Sequence, residues 1–242
     1  MDNKKRALVT GGTKGIGKAI ACMLLEMDYH VTITYGNDQT AANRFASDLT
    51  PFTGMFEMIN VDQCNTSEIH SLASHIKSRG KLDCLILNAG ITLRKSIADT
   101  TDEDWMRIVN ANINNNFFLV RDLMEIIPHG SRIIFIGSLM AIHPHATSLA
   151  YAVTKAAIHA MAQNLVKCFE ATNTTVNVIA PGFVETEWQK SKPQHIRQNI
   201  YNKTAVKRFA SPQEIADAVR FCIGNPFVNG ATIEVSGGYC FK

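Results

Sequence analysis

In this chain of 242 residues, the pair best suited to move a proton is Tyr151 and Lys155. They stand four apart in YAVTKAAIHAMAQNL, a helical pattern, so both side chains share one face. A free phenol titrates at about 10 and is a poor proton donor at neutrality. A neighbouring ammonium favours the phenolate and draws that pKa toward the working range, so the two read as an acid/base couple. Thirteen residues before the tyrosine, Ser138 closes the apolar run RIIFIGS (132–138). A hydroxyl at the carboxyl end of a strand can donate to an oxygen on which negative charge develops. Taken singly, each residue also has a plainer reading, as a packing residue, a solvated cation or a strand-end cap.

A second signal is TGGTKGIGKA (10–19), which follows one apolar run and opens a helical one, so its amides and the helix dipole face an anion. Counted from Gly12 it approaches a triphosphate loop, but that loop needs Ser or Thr after its lysine to ligate magnesium, and Ala19 stands there. Counted from Gly11, the glycines Gly11, Gly15 and Gly17 supply the tight turn and close backbone approach of a dinucleotide cradle.

The elements that must position these groups alternate regularly. Short apolar runs occupy 6–10, 30–35, 55–61, 82–88, 132–138, 175–181 and 231–235, with helical patterns such as IGKAIACMLLEM (16–27) and SEIHSLASHIKS (67–78) between them. That alternation predicts an α/β fold, a parallel sheet with helices on both faces, and residues 1–242 as a single domain without a linker. A net charge of +3 is too small to argue for nucleic acid, and no apolar run reaches the ~20 residues of a membrane span. The start MDNKKRALVTGG enters a strand and does not resemble a secretory leader. Six cysteines without a CxxC pair read as reduced packing residues, hence a reducing compartment and a cytoplasmic location. His143 and His145 form an HxH pair with no clustered third ligand, so no metal site is expected.

Thr10–Gly17, Asn88-Ala89-Gly90, Ser138, Tyr151-x-x-x-Lys155 and Pro181-Gly182, in this order, resemble the short-chain dehydrogenase/reductase family along essentially the whole chain. Within it the β-ketoacyl carrier-protein reductases are most similar, in phrases such as TVNVIAPGFVET. The resemblance implies a doubly wound Rossmann domain of about seven parallel strands. It makes Tyr151 the general acid for ketone reduction and Ser138 the donor to the substrate oxygen. Lys155 also holds the nicotinamide ribose, and Asn112 holds a water that relays protons from Lys155. For the cofactor it implies Gly11, Thr13, Lys14, Gly15, Ile16 and Gly17 at the glycine loop. Tyr35, Asp62, Asn88, Ala89 and Gly90 fall on the adenosine side, and Pro181, Gly182, Val184 and Thr186 on the nicotinamide side, with Tyr151 and Lys155. Substrate contacts fall on Ser138, Met140, His143, Tyr151, Phe183 and Trp188. It further implies a homo-oligomer, a tetramer by the family's habit.

Cofactor choice turns on the end of the second apolar run, Tyr35-Gly36-Asn37, where NAD-preferring folds place an acid for the ribose 2′-hydroxyl. No carboxylate comes before Asp38, and Lys14 can meet a 2′-phosphate, so NADP(H) is favoured, with NAD(H) open if Asp38 swings in. The segment around 183–207 would cover the substrate. From Trp188 to Arg208 it carries six cations (Lys190, Lys192, Arg197, Lys203, Lys207, Arg208) and no acid, so it reads as a landing place for an acidic or carrier-linked substrate, or as a solvated cover. His129 and Thr172 stand where the carrier-protein reductases have docking cations, so a small ketone, sugar or steroid-like substrate remains the second reading. A non-catalytic NADP sensor is the third. No role follows for Asn114-Asn115-Asn116.

Overall fold

The computed structural model describes residues 4–144, 148–239 and 241, without the side chain of Trp188. His145 and Cys240 therefore lie outside the described residues. Seven strands, β1 (Arg6–Val9), β2 (His30–Tyr35), β3 (Phe56–Asn60), β4 (Cys84–Leu87), β5 (Arg132–Ile136), β6 (Thr175–Pro181) and β7 (Thr232–Val235), form one parallel sheet in the order β3-β2-β1-β4-β5-β6-β7. The expected apolar runs and the strands coincide to within two residues at each end. The inner strands β4 and β6 are buried along their whole length, while the edge strand β7 is half-buried, as a sheet covered on both faces requires.

Helices pack on both faces. On one side α1 (Gly15–Glu26) and α9 (Pro212–Gly224) bury Ile20, Leu24, Ile215 and Val219 against Val9, Ile86 and Ile134. On the other, α3 (Thr66–Ser78), α5 (Asn115–Leu123) and α6 (Leu149–Cys168) bury Ile69, Leu72, Leu119 and Ile158 against Leu85, Ile133 and Phe135. Alternate residues of one strand thus serve opposite cores, each fully buried aliphatic side chain contributing ~1.5–3 kcal/mol. The remaining helices are α2 (Gln39–Asp48), α4 (Asp102–Val109), α7 (Glu187–Lys190) and α8 (Gln194–Lys203). Capping boxes start α4 (Thr101 with Asp104) and α9 (Ser211 with Glu214), so local sequence sets where each of these two helices begins.

Between α4 and α5 residues Asn110–Asn114 take a π-helical turn, which frees main-chain carbonyls from the regular ladder. The asparagines that had no role in the sequence reading serve this turn. Asn116 Nδ2 donates to the Asn112 carbonyl at 2.7 Å, and Gln63 Nε2 donates to the Ala111 carbonyl at 3.1 Å. Asn115 donates in turn to the Gln63 carbonyl and accepts from Thr66 Oγ1, both at 2.8 Å.

The five described cysteines form no disulfide. Cys84 and Cys222 are buried as expected of packing residues, but Cys168 is exposed, because the end of α6 turns it away from the sheet. Among the described residues no helix is long and apolar enough to cross a membrane.

Candidate functional site

Strand order reverses between β1 and β4, and ligands of open α/β sheets bind outside the carboxyl ends at such a point. The register makes those ends level: Val9 pairs with Ile86, Leu87 with Phe135, and Ile136 with Ile179. Thr10, Asn88 and Ser138, distant in sequence, therefore come to one edge.

Asn88 and Thr10 clasp the glycine loop. Asn88 Nδ2 donates to the carbonyls of Thr10 and Gly11, each at 2.9 Å, and Thr10 Oγ1 accepts from the amides of Asn88 and Ala89, each at 3.0 Å. Thr34 Oγ1 accepts the Gly11 amide at 3.1 Å. A Cβ on Gly17 would lie 2.3 Å from the Gly11 carbonyl oxygen and 2.6 Å from Asn88 Nδ2, so only glycine lets α1 begin this close to the turn. Thr10 and Thr34 were missed as site residues by the sequence reading. A threonine ending a strand at the switch point was the available signal.

Beside this loop lies a cavity of ≈ 320 Å³ whose lining includes Gly11, Tyr35, Asp62, Asn88, Ala89 and Gly90, six residues expected on the cofactor side. Asp62 Oδ1 accepts the Cys64 amide at 2.9 Å, and the Tyr35 hydroxyl donates to Gln39 at 2.8 Å. Lys14 and Asp38 form an ion pair, and Asp38 also caps α2 by accepting the Ala41 amide at 2.9 Å. Lys14 and that amide hold the Asp38 carboxyl below its ordinary range. Thr13 is buried, Ile16 is half-buried at the start of α1, and Val184 bridges to Ala210. Gly182 hydrogen-bonds Val235, and Thr186 caps α7 with its methyl against Gly15.

Helix α6 brings the reactive groups to the end of β5. Lys155 is buried and its Nζ donates to the Ile136 carbonyl at 2.7 Å, 5.7 Å from the Tyr151 ring centre. Burial draws the Lys155 pKa down to about 8. Tyr151 is half-buried, and desolvation raises its pKa while a hydrogen bond with Ser138 opposes the rise. This corrects the expectation of a phenol pKa drawn down toward neutrality: desolvation outweighs what lowers it. Ser138 Oγ also accepts the Met140 amide at 3.1 Å, which leaves its proton to donate.

Asn112 is fully buried, and its amide is committed elsewhere. Its Nδ2 donates to the Ile91 carbonyl at 2.9 Å and Thr154 Oγ1 at 3.0 Å, and its Oδ1 accepts the Ile91 amide at 2.8 Å. Both Nδ2 protons are thus taken, and Oδ1 keeps one acceptor site. The Asn112 main-chain carbonyl, to which Asn116 donates, likewise has an acceptor site to spare.

Facing Ser138 and Tyr151 is a cavity of ≈ 120 Å³, which Met140, His143 and Phe183, three residues expected to touch substrate, also line. Trp188 contributes no described side chain. Gln189, Tyr239 and Arg94 join the lining without having been expected. Gln189 is buried with no hydrogen-bond partner for its Oε1 among the described residues. His143 Nε2 lies 3.6 Å from Glu234 Oε2, and no cluster of metal ligands exists among the described residues.

The basic lid is not a bare cationic surface. Lys190 pairs with Glu187 at 2.7 Å, and Arg208 pairs with Glu214 through two bonds of 2.8 and 2.7 Å. Arg197 binds Glu185 with both guanidinium nitrogens and Tyr201 Oη at 2.8 Å, and it lies 4.6 Å from the Phe209 ring centre. The acids that neutralise these three cations lie just outside the window in which the sequence showed none.

The short chain dehydrogenase model matches residues 5–197. The chain belongs to that family. It is 33% identical over 239 residues to the 3-oxoacyl-[acyl-carrier-protein] reductase of Salmonella typhimurium, covering 97% of this chain and 96% of that one. It is 28% identical over 240 residues to the acetoacetyl-CoA reductase of Shinella zoogloeoides, with 97% and 98% covered. Among solved structures, a short chain dehydrogenase from Burkholderia cenocepacia in complex with NADP superposes with a TM-score of 0.91 at 27% identity, covering 97% of each chain. As a short-chain dehydrogenase the protein is an oxidoreductase.

Proposed function

We propose that this short-chain dehydrogenase is an NADP(H)-dependent reductase of ketones, acting on 3-oxoacyl thioesters in the manner of a 3-oxoacyl-[acyl-carrier-protein] reductase. The observation that carries the reading is Ser138 and Tyr151, hydrogen-bonded to each other, on the wall of the 120 Å³ cavity with Lys155 buried behind them. The relatives named above act by name on 3-oxoacyl groups carried on acyl carrier protein or coenzyme A.

The residues present fit the cofactor. The backbone around Gly11, Gly15 and Gly17 would hold the pyrophosphate, the Asp62 and Asn88–Gly90 cavity the adenosine, and Pro181–Thr186 the nicotinamide end. Lys14 would meet the 2′-phosphate, exchanging Asp38 for a stronger anion. When bound, this cofactor supplies or accepts hydride. The chain's own part is the proton. Ser138 donates a hydrogen bond to the substrate carbonyl oxygen, and Tyr151 gives that oxygen its proton as the carbonyl becomes an alcohol. The raised Tyr151 pKa keeps the phenol protonated at neutrality, which suits reduction better than oxidation. Lys155, anchored on Ile136, carries the positive charge that steadies the phenolate left behind.

A second reading, reduction of a small free ketone, is favoured by the ion-paired lid and by the Thr172 hydroxyl, which donates to the Phe169 carbonyl at 2.6 Å instead of offering a docking charge. Steady-state assays with NADPH against a 3-oxoacyl thioester, a diketone and a ketosteroid separate the readings. A kcat/KM at least about tenfold higher for the thioester, the size of one good polar contact, supports the first. Preference for the diketone supports the second, and turnover of none with tight NADPH binding would make the protein a sensor.

A further inference from the structure

Helix α6 reaches the end of β5 at three points, of which the acid/base chemistry uses two. Tyr151, Lys155 and His159 are spaced four apart on one face of the helix. Tyr151 hydrogen-bonds the Ser138 side chain, Lys155 binds the Ile136 carbonyl, and His159 Nε2 accepts the Ser138 amide at 3.4 Å. The intervening residue is cut to fit. A Cβ on Gly137 would fall 2.1 Å from His159 Nε2 and 2.7 Å from its Cδ2, so the imidazole rests directly on bare backbone. Accepting from an amide requires a lone pair on Nε2, which assigns the ring proton to Nδ1 and the neutral state to the ring. Burial and the nearby Lys155 hold the imidazole neutral, drawing its pKa down to about 4.

We infer that His159 is a positioning residue for Ser138: its Nε2 pins the serine's backbone amide, fixing the direction from which Ser138 Oγ reaches Tyr151 and the substrate oxygen. The inference rests on the proposed role of Ser138 as donor to that oxygen. The strand has already ended at Ile136, and after Gly137 hydrogen-bonds Ile179 at 2.7 Å the main chain leaves the sheet. Among the described residues His159 is the acceptor that holds the Ser138 amide beyond that last ladder bond. Without it the serine would keep its side-chain contacts with Tyr151 and the Met140 amide but lose the tether of its main chain to α6. The 3.4 Å separation lies at the long end for an N–H···N contact, so its effect is on aim and not on fold stability.

The test is a double-mutant cycle on ketone reduction with NADPH. His159→Leu removes the acceptor and is expected to lower kcat about tenfold, the worth of one polar contact, with ketone KM and NADPH Kd within about twofold. His159→Gln, which restores an acceptor on a side chain that can span the gap, is expected to recover most of the loss. In a Ser138→Ala background His159→Leu is expected to cost nothing further, because the group it aims is gone. The same tenfold loss in both backgrounds, an unchanged kcat in His159→Leu, or failure of His159→Gln to recover would each overturn the positioning role alone. A Ser138→Ala enzyme as fast as wild type would overturn the catalytic reading of Ser138 and the role of His159 with it. If circular dichroism shows that His159→Leu does not fold, His159→Asn, polar but too short to reach, takes its place in the cycle.

Discussion

At the carboxyl edge of the sheet, polar side chains are tied to main-chain atoms: Asn88 to Thr10 and Gly11, Lys155 to Ile136, Asn112 to Ile91, all between 2.7 and 2.9 Å. In the lid, the corresponding ties are ion pairs between side chains, Lys190 with Glu187, Arg197 with Glu185 and Arg208 with Glu214. Bonds of the first kind are buried or part-buried and little affected by salt, whereas the exposed Lys190 and Arg208 pairs are screened within a Debye length of ~8–10 Å, and the Arg197 pair, part-buried, lies between. A rigid floor under a loosely tied cover is an arrangement in which reaction type is set by one region and substrate choice by the other. Changes to the floor should therefore appear in kcat or cofactor affinity, and changes to the lid in KM.

The largest effect is expected from Tyr151→Phe on the floor. It removes the transferable proton, so kcat for ketone reduction should fall at least about 100-fold while NADPH Kd, measured by fluorescence titration, stays within about twofold. A kcat above a tenth of wild type would take the acid role from Tyr151. Next, Lys14→Ala should weaken NADPH by about tenfold or more, the range of a charge-assisted bond, and leave NADH unchanged. Equal weakening of both would assign Lys14 to the pyrophosphate they share. Third, the buried Lys155 ammonium is present below about 8 and lost above it, against an ordinary value of 10.5. Because the raised Tyr151 pKa keeps the phenol protonated over that range, kcat should fall on the alkaline side of about 8, approaching tenfold per pH unit. A plateau up to pH 10 would show that the charge on Lys155 is not needed. The smallest effect belongs to the lid. Arg197→Ala frees Glu185 and Tyr201 and should raise ketone KM about fivefold with kcat within twofold. A drop in kcat instead would mean that the lid shapes the reacting geometry and that the division between floor and lid fails.

Much of the floor was legible because its residues sit at strand ends, and strand ends can be found from apolar runs. Ser138 and Asn88 each follow such a run, and Tyr151 and Lys155 share a helix face by simple counting. Partners across the fold were not legible. Gln63 binds the Ala111 carbonyl across 48 positions of sequence, a partner that nothing beside it in the chain announces. The pairing of Lys190 and Arg197 was missed because a charge window beginning at Trp188 stops one residue short of Glu187 and three short of Glu185. The direction of the Tyr151 shift was missed because desolvation depends on what surrounds the phenol, and spacing reports only its neighbours along the helix. Gln189 and Tyr239 enter the cavity lining from short, locally folded segments that carry no periodic signal.

The π-helical turn at Asn110–Asn114 bears on which length changes the chain can accept. Such a turn holds one residue more than an α-turn, and each residue advances a helix by about 100°. Deleting a single residue here, Ile113 for example, would let α4 and α5 join as one regular helix with its two halves facing much as before, but the carbonyls freed at the bulge would return to the regular ladder. The side-chain amides of Gln63 and Asn116 would then lose the Ala111 and Asn112 carbonyls that accept from them. Between Asp102 and Leu123 the chain is thus constrained in residue number as well as in residue type. The exposed stretch from Lys95 to Asp99, outside any helix or strand, is where a homologue could gain or lose residues without disturbing the site.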